Sequence, residues 1–236
     1  MSNQIHSHEG FTQDISRDFF RSVYTYMFGA LIVSGIVAFW VGTPEFFVKY
    51  FVTAEGGLSP IYYVVIFAPV GLGLLIQTLY RKMSLGILTA LFVGFSALMG
   101  LSLGSVFLVY SGQTIATTFF ITAGAFAGMA ILGYTTKTDL TKMGSLLYMG
   151  FIGIFIAGIV NIWVQSNFMG WVISLLGVVV FTGLTAYYMQ RLKSISNDSG
   201  LSGIERNKLA LVGGLQLYIL FINLFMSLLR LTGGRD

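Results

Sequence analysis

The sequence predicts an all-α integral membrane protein, a bundle of seven transmembrane helices with the last helix central. Three observations point to this class. Of the 236 residues, 56% are hydrophobic and only 9% are charged, with a mean hydropathy of +0.83. A water-soluble domain carries about 25% charge to wet its surface, so water cannot be the solvent for most of this chain. The 13 basic and 9 acidic residues cluster between long uncharged stretches. Those stretches have the length of about 20 residues that a helix needs to cross roughly 30 Å of hydrocarbon. Membrane β-strands would be about 10 residues long with alternating apolar and polar positions. Here a run such as 175–181 (LLGVVVF) is apolar on every side.

Seven stretches qualify as spans: 22–42, 61–80, 85–110, 114–134, 144–164, 170–190 and 209–229. The first is not a secretory signal, because such a signal follows a basic start closely and ends at a small-residue cleavage site. Here 21 mostly polar residues come first, so the span reads as a retained anchor. The chain then divides into a cytoplasmic tail (1–21), a seven-helix domain (22–230) and a short external tail (231–236). Residues 11–20 read as an amphipathic stretch lying along the headgroups. Residues 43–60 and 191–208 are the long connections, and 194–202 (SISNDSGLS) has the composition of a flexible loop. No internal repeat of the inverted-transporter kind is visible.

Orientation follows from Lys and Arg in the connections, which favour the cytoplasmic side. Ten fall on the side of the N-terminus, and Lys49, Arg230 and Arg235 fall on the other. The N-terminus is therefore predicted inside and the C-terminus outside. Trp40, Trp163 and Trp171 lie near outer span ends, as an aromatic belt would. The short loops favour a bacterial inner membrane. The net charge of +4 forms no basic stripe, so it is assigned to loops facing the lipid bilayer rather than to nucleic acid.

Glycine is abundant, at 29 residues, and small residues let membrane helices approach closely. Ser96, Gly100 and Gly104, then Gly124 with Gly128, and Gly153 with Ala157 are predicted contact faces.

The absence of cysteine excludes thiol catalysis and Cys-ligated metals. All nine acids and both histidines, His6 and His8, lie in tails or connections. The spans therefore hold no lysine for a retinal Schiff base, no axial ligand for haem, no metal set and no proton relay. The expectation is a protein without a cofactor that is not an enzyme. The remaining polar constellation is on the last span, where Gln216, Leu220, Asn223, Ser227 and Arg230 share one helical face. Amides in lipid need partners, so this face should point inward. Thr185 and Tyr188 share a face on the sixth span. Two readings of these groups stay open, plain helix-to-helix hydrogen bonding or the lining of a narrow ion path. Asn161 and Gln165 read as interfacial caps.

Several segments in order carry a family likeness: 97–110 (ALMGLSLGSVFLVY), 133–140 (GYTTKTDL), 158–163 (GIVNIW), 181–193 (FTGLTAYYMQRLK) and 217–230 (LYILFINLFMSLLR). On these the chain resembles the Bax inhibitor-1 family. The resemblance implies seven helices, a cytoplasmic N-terminus, and an association with calcium leak, proton-sensitive gating and stress control. It also implies an aspartate pair in the sixth and seventh helices, within T-A-Y-D-T-Q and L-Y-L-D-F-I-N. Matched residue by residue, those positions are Tyr188 and Leu220 here, so both acids are absent. Tyr188 and Leu220, with Gln216, Asn223 and Thr185 around them, are the candidate latch or ion-path positions, and the expectation is an apolar plug in place of a charged latch. The partners then expected are calcium or protons. The alternative is a non-conducting interaction protein that regulates a membrane protease or other membrane proteins.

Overall fold

The computed structural model describes residues 2–198 and 200–233, with side chains from residue 15 onward. The helices in chain order are α1 (Ser2–Val41), α2 (Pro44–Phe51), α3 (Pro60–Leu79), α4 (Leu85–Leu103), α5 (Val106–Val109), α6 (Gly112–Thr135), α7 (Thr141–Val164), α8 (Asn167–Ser196) and α9 (Gly203–Thr232). Seven are long and apolar enough to cross a membrane when α5 is counted as the end of the α4 span. Among the described residues there is no strand, and a single antiparallel bridge joins Val52 to Leu58. The fold is the all-α membrane bundle that composition and span length predicted.

Capping chemistry sets several boundaries. The 43–60 connection contains α2, which the apolar-length reading passed over. Thr43 accepts a hydrogen bond from the Phe46 amide, Pro44 opens the helix, Glu45 sits in its first turn and Lys49 in its last, all favourable placements. Ser84 caps α4 by accepting from the Ile87 amide at 3.3 Å. At the start of α9, Ser202 and Glu205 form a reciprocal capping box. The Glu205 amide donates to Ser202 Oγ at 3.2 Å, and the Ser202 amide donates to Glu205 Oε2 at 3.2 Å.

The helix bounds correct the expectation for the last long connection. The connection 191–208 is mostly helix, because α8 continues to Ser196 and α9 begins at Gly203. The N-terminal segment is helical without a break into the first span. Within the amphipathic stretch 11–20, the described part packs one face on the protein itself. Ser16, Phe19 and Phe20 are buried, and the hydroxyls of Ser16 and Ser196 stand 2.9 Å apart. The side chains of 11–14, like those of His6 and His8, lie outside the described residues.

The helices form two compact units. Unit 1 is the chain through Ser111 together with Ser196–Tyr218, and unit 2 is Gly112–Ile195 with the chain from Ile219 onward. In unit 1, the stripe Ser96, Gly100, Gly104 packs α4 against α1. A Cβ on Gly100 would fall 2.7 Å from Ser34 O, and one on Gly104 would strike the Val41 side chain. Gly214 of α9 likewise rests on α1, where a Cβ would lie 2.8 Å from Val23 O.

In unit 2, α8 packs closely on its neighbours. A Cβ on Gly133 of α6 would come 2.6 Å from Ala186 Cα, so the two backbones touch. Gly144 of α7 lies under the Tyr187 ring, Gly183 takes Leu147 of α7, and Gly177 takes Ser227 of α9. The other two predicted glycine faces do not pack this way, since Gly124, Gly128 and Gly153 have open space where a Cβ would stand. Burial separates the spans sharply. Across its apolar stretch α9 is 67% buried, and α7 only 6%.

Candidate functional site

The five candidate positions fall in both units, with Gln216 in unit 1 and Thr185, Tyr188, Leu220 and Asn223 in unit 2. The close packing of α6, α7 and α8 fixes the first two. Thr185 has no exposed surface, and its hydroxyl donates to Phe181 O of its own helix at 2.7 Å. Three residues on, Tyr188 is 5% exposed. Its hydroxyl is hydrogen-bonded to that of Tyr148 on α7, with ring centroids 6.2 Å apart. The side chain at this position is therefore already partnered.

On α9 the polar groups resolve differently than the shared face suggested. Asn223 Nδ2 donates to Ile219 O at 2.8 Å, and Ser227 Oγ donates to Asn223 O at 2.8 Å. Both bond back to their own helix. Gln216 reaches across instead, its Nε2 donating to Gln77 Oε1 of α3. Leu220 is buried, at 4% exposure. The residues of α9 that retain intermediate exposure include Val212, Gln216, Ile219, Asn223 and Met226, one stripe at helical spacing. The two amides sit on this partly open side of an otherwise buried helix.

A second feature of unit 2 was not visible in the sequence. Gln190 Oε1 accepts from the Leu140 amide at 2.9 Å, and its Nε2 donates to Thr138 O at 2.8 Å. One turn on, Lys193 Nζ donates to Tyr134 O at 2.8 Å and lies 4.8 Å from the Tyr134 ring centroid, within cation–π range. The end of α8 thus clamps the α6–α7 connection. Within it, Asp139 Oδ1 accepts from the Thr141 hydroxyl at 2.6 Å and the Thr141 amide at 2.9 Å. Those hydrogen bonds hold the Asp139 carboxyl below its ordinary pKa, because they favour the charged form. The segments 133–140 and 181–193, read separately in the sequence, are one assembly.

Tyr148 and Gln77 are the residues that sequence reasoning missed. Gln77 carried a signal, being an amide within an apolar helix. Tyr148 carried none beyond being one of 12 tyrosines. Asn161 and Gln165 behave as the sequence indicated. Gln165 ends α7 in the left-handed region at φ 51°, and Asn161 Oδ1 accepts from the Ser166 amide at 3.1 Å.

Comparison with known proteins places this geometry. Residues 16–236 match the family model described as "Inhibitor of apoptosis-promoting Bax1". The chain is 38% identical over 214 residues to the inner membrane protein YbhL of Escherichia coli K12, covering 90% of each. It is 42% identical over 222 residues to an uncharacterised protein of Caulobacter vibrioides, covering 92% of this chain and 89% of the other. An uncharacterised protein of Borreliella burgdorferi is 48% identical over 169 residues, covering 70% and 71%. With nearly the whole described chain matched and seven apolar helices in place, the protein belongs to the Bax inhibitor-1 family.

Proposed function

We propose that this protein is a multi-pass protein of the bacterial inner membrane, N-terminus in the cytoplasm, that passes a slow leak of cations, calcium foremost, without a pH gate. The inner-membrane name of YbhL supports the location. The observation that carries the gating proposal is the state of Tyr188 and Leu220. Both are buried, and the Tyr188 hydroxyl is spent on Tyr148. Two adjacent carboxylates share a proton because like charges resist joint ionisation, which lets one of them titrate near neutral pH. A tyrosine titrates near 10, and a leucine not at all. Neither position can switch charge in the physiological range. A cation in such an interior would meet amides, hydroxyls and carbonyls, weaker ligands for calcium than carboxylates. The same scarcity of acid, base and nucleophile in the spans is our reason for reading the protein as no enzyme.

The test is calcium uptake into liposomes holding the purified chain, measured from about pH 6 to 8, where a histidine or a coupled carboxylate would titrate. The expected result is measurable flux of constant rate. A steep pH dependence overturns the ungated reading. Flux indistinguishable from empty liposomes at every pH overturns the leak and assigns the chain to the non-conducting regulators of membrane partners.

A further inference from the structure

Unit 1 carries a cluster of cations that the proposed leak does not use. Arg81 and Lys82 follow Tyr80, the C-cap of α3, and Lys208 stands in the second turn of α9. The structure brings them together, with Lys208 Nζ donating to Arg81 O at 3.2 Å. Arg81 is oriented by its neighbour. Its Nε donates to the Tyr80 hydroxyl at 3.1 Å, and the guanidinium carbon lies 5.8 Å from the Tyr80 ring centroid. This leaves the terminal nitrogens of the fork free. The acid closest in charge interaction to Arg81 and Lys208 is Glu205. Its Oε2 accepts from the Ser202 amide and hydroxyl at 3.2 and 2.9 Å, which holds the carboxylate in the capping box, and its single negative charge offsets only part of the cluster. One carboxylate set against the three cations Arg81, Lys82 and Lys208 leaves the cluster with a net positive charge.

The depth of the cluster identifies what would neutralise it. It sits where α3 ends at Leu79, α4 begins at Leu85 and α9 begins at Gly203, which is headgroup depth for helices spanning the hydrocarbon. Leu75 and Leu79 on the last turns of α3, and Ile87 on the first turn of α4, are exposed. A ligand here meets donors at one end and apolar side chains at the other. We propose that Arg81, Lys82 and Lys208 bind the phosphate of an anionic phospholipid whose acyl chains lie along Leu75, Leu79 and Ile87. Arg81 supplies the planar fork that phosphate accepts, and the two ammonium groups supply charge. Free phosphate would satisfy the donors but leave the apolar surface uncovered.

The experiment uses the full chain in detergent, with phosphatidylglycerol, phosphatidylcholine and inorganic phosphate added separately. Bound lipid is counted by native mass spectrometry, and the melting temperature is followed in parallel. The proposal expects phosphatidylglycerol to be retained and to raise the melting temperature, with neither effect from the other two. Each cation near an anionic headgroup is worth about fivefold in affinity, so R81Q/K82Q/K208Q should weaken retention by roughly two orders of magnitude. K137Q/K142Q, which removes two cations of unit 2, should retain the lipid as the parent does. Equal retention by a triple variant that melts like the parent overturns the proposal. So does equal retention of phosphatidylcholine, while a matching shift from inorganic phosphate assigns the cluster to a soluble anion instead. Should the triple variant fail to fold, K82Q decides, since the Lys82 side chain is exposed and its one hydrogen bond, from the backbone amide to Leu79 O, survives the substitution. A fivefold loss supports the site and an unchanged affinity sinks it.

Discussion

Ser102 of α4 donates its hydroxyl to the carbonyl of Val65 on α3 at 2.8 Å, and that carbonyl is the one Pro69 leaves open. Pro69 lies inside α3 and has no N–H to offer the residue four positions back. In lipid no water fills such a gap. The serine does, sharing its hydrogen with Leu98 O at 3.1 Å. Ser102→Ala should therefore lower stability by about 1–3 kcal/mol, the cost of a buried acceptor left unmade. Combining it with Pro69→Ala should recover most of that loss, because the alanine restores the missing N–H. Thermal melts of the two single variants and the double variant form the cycle, and strict additivity would contradict the assignment.

Gly133 and Gly124 lie on the same helix and should respond in opposite ways. At Gly133 an added methyl meets the Ala186 backbone, whereas at Gly124 it meets nothing. Backbone has nowhere to retreat, so Gly133→Ala should destabilise by roughly 1–3 kcal/mol or more, as overpacking does. Gly124→Ala should be neutral or mildly stabilising, by up to about 1 kcal/mol, through better helix propensity. Melting temperatures in one detergent distinguish the two.

Two buried tyrosines make a similar contrast. The Tyr218 hydroxyl is buried with no hydrogen bond of ordinary geometry, although Ser34 lies beside it. The ring itself packs edge-on against Phe95 with centroids 5.8 Å apart. Tyr218→Phe keeps the ring and removes an unsatisfied group, so stability should hold or rise. Tyr188→Phe leaves the Tyr148 hydroxyl without its partner and should cost about 1–2 kcal/mol. Equal effects of the two substitutions would contradict the hydrogen-bonding pattern described for them.

The Asp139 turn should be sensitive to acid in a definite direction. Its pKa is lowered in the folded chain by the two Thr141 donors, so folding favours the ionised form. The turn's stabilisation is complete above the ordinary carboxylate value of about 3.9 and is lost as pH falls through the lowered folded value. A carboxyl titration followed by NMR should place Asp139 below the exposed acids. Thr141→Val, which removes one donor, should move it back up.

The seven spans were legible because apolar length is a local property, written in each stretch separately. The short helix α2 was equally local, in Thr43, Pro44 and Glu45, and was missed because apolar length does not register capping. The polar run around Ser202 looked like loop, but three residues on stands the Glu205 that turns it into a helix start. Glycine spacing predicted Gly100 and Gly104 correctly and Gly124 and Gly128 incorrectly, since spacing says which residues share a face and not what that face meets. For the same reason no reading of the chain could pair Tyr188 with Tyr148 or Gln216 with Gln77. Those contacts depend on helix rotation, which the glycine contacts of α8 and the packing of α3 determine.

Calcium flux in liposomes, comparing this chain with the variant Tyr188→Asp/Leu220→Asp, tests the central proposal most directly. Flux should be constant from about pH 6 to 8 for the unaltered chain and pH-dependent once both carboxylates are present, because only then do coupled acids titrate in that range. A steep response in the unaltered chain, or none in a folded double variant, would contradict it.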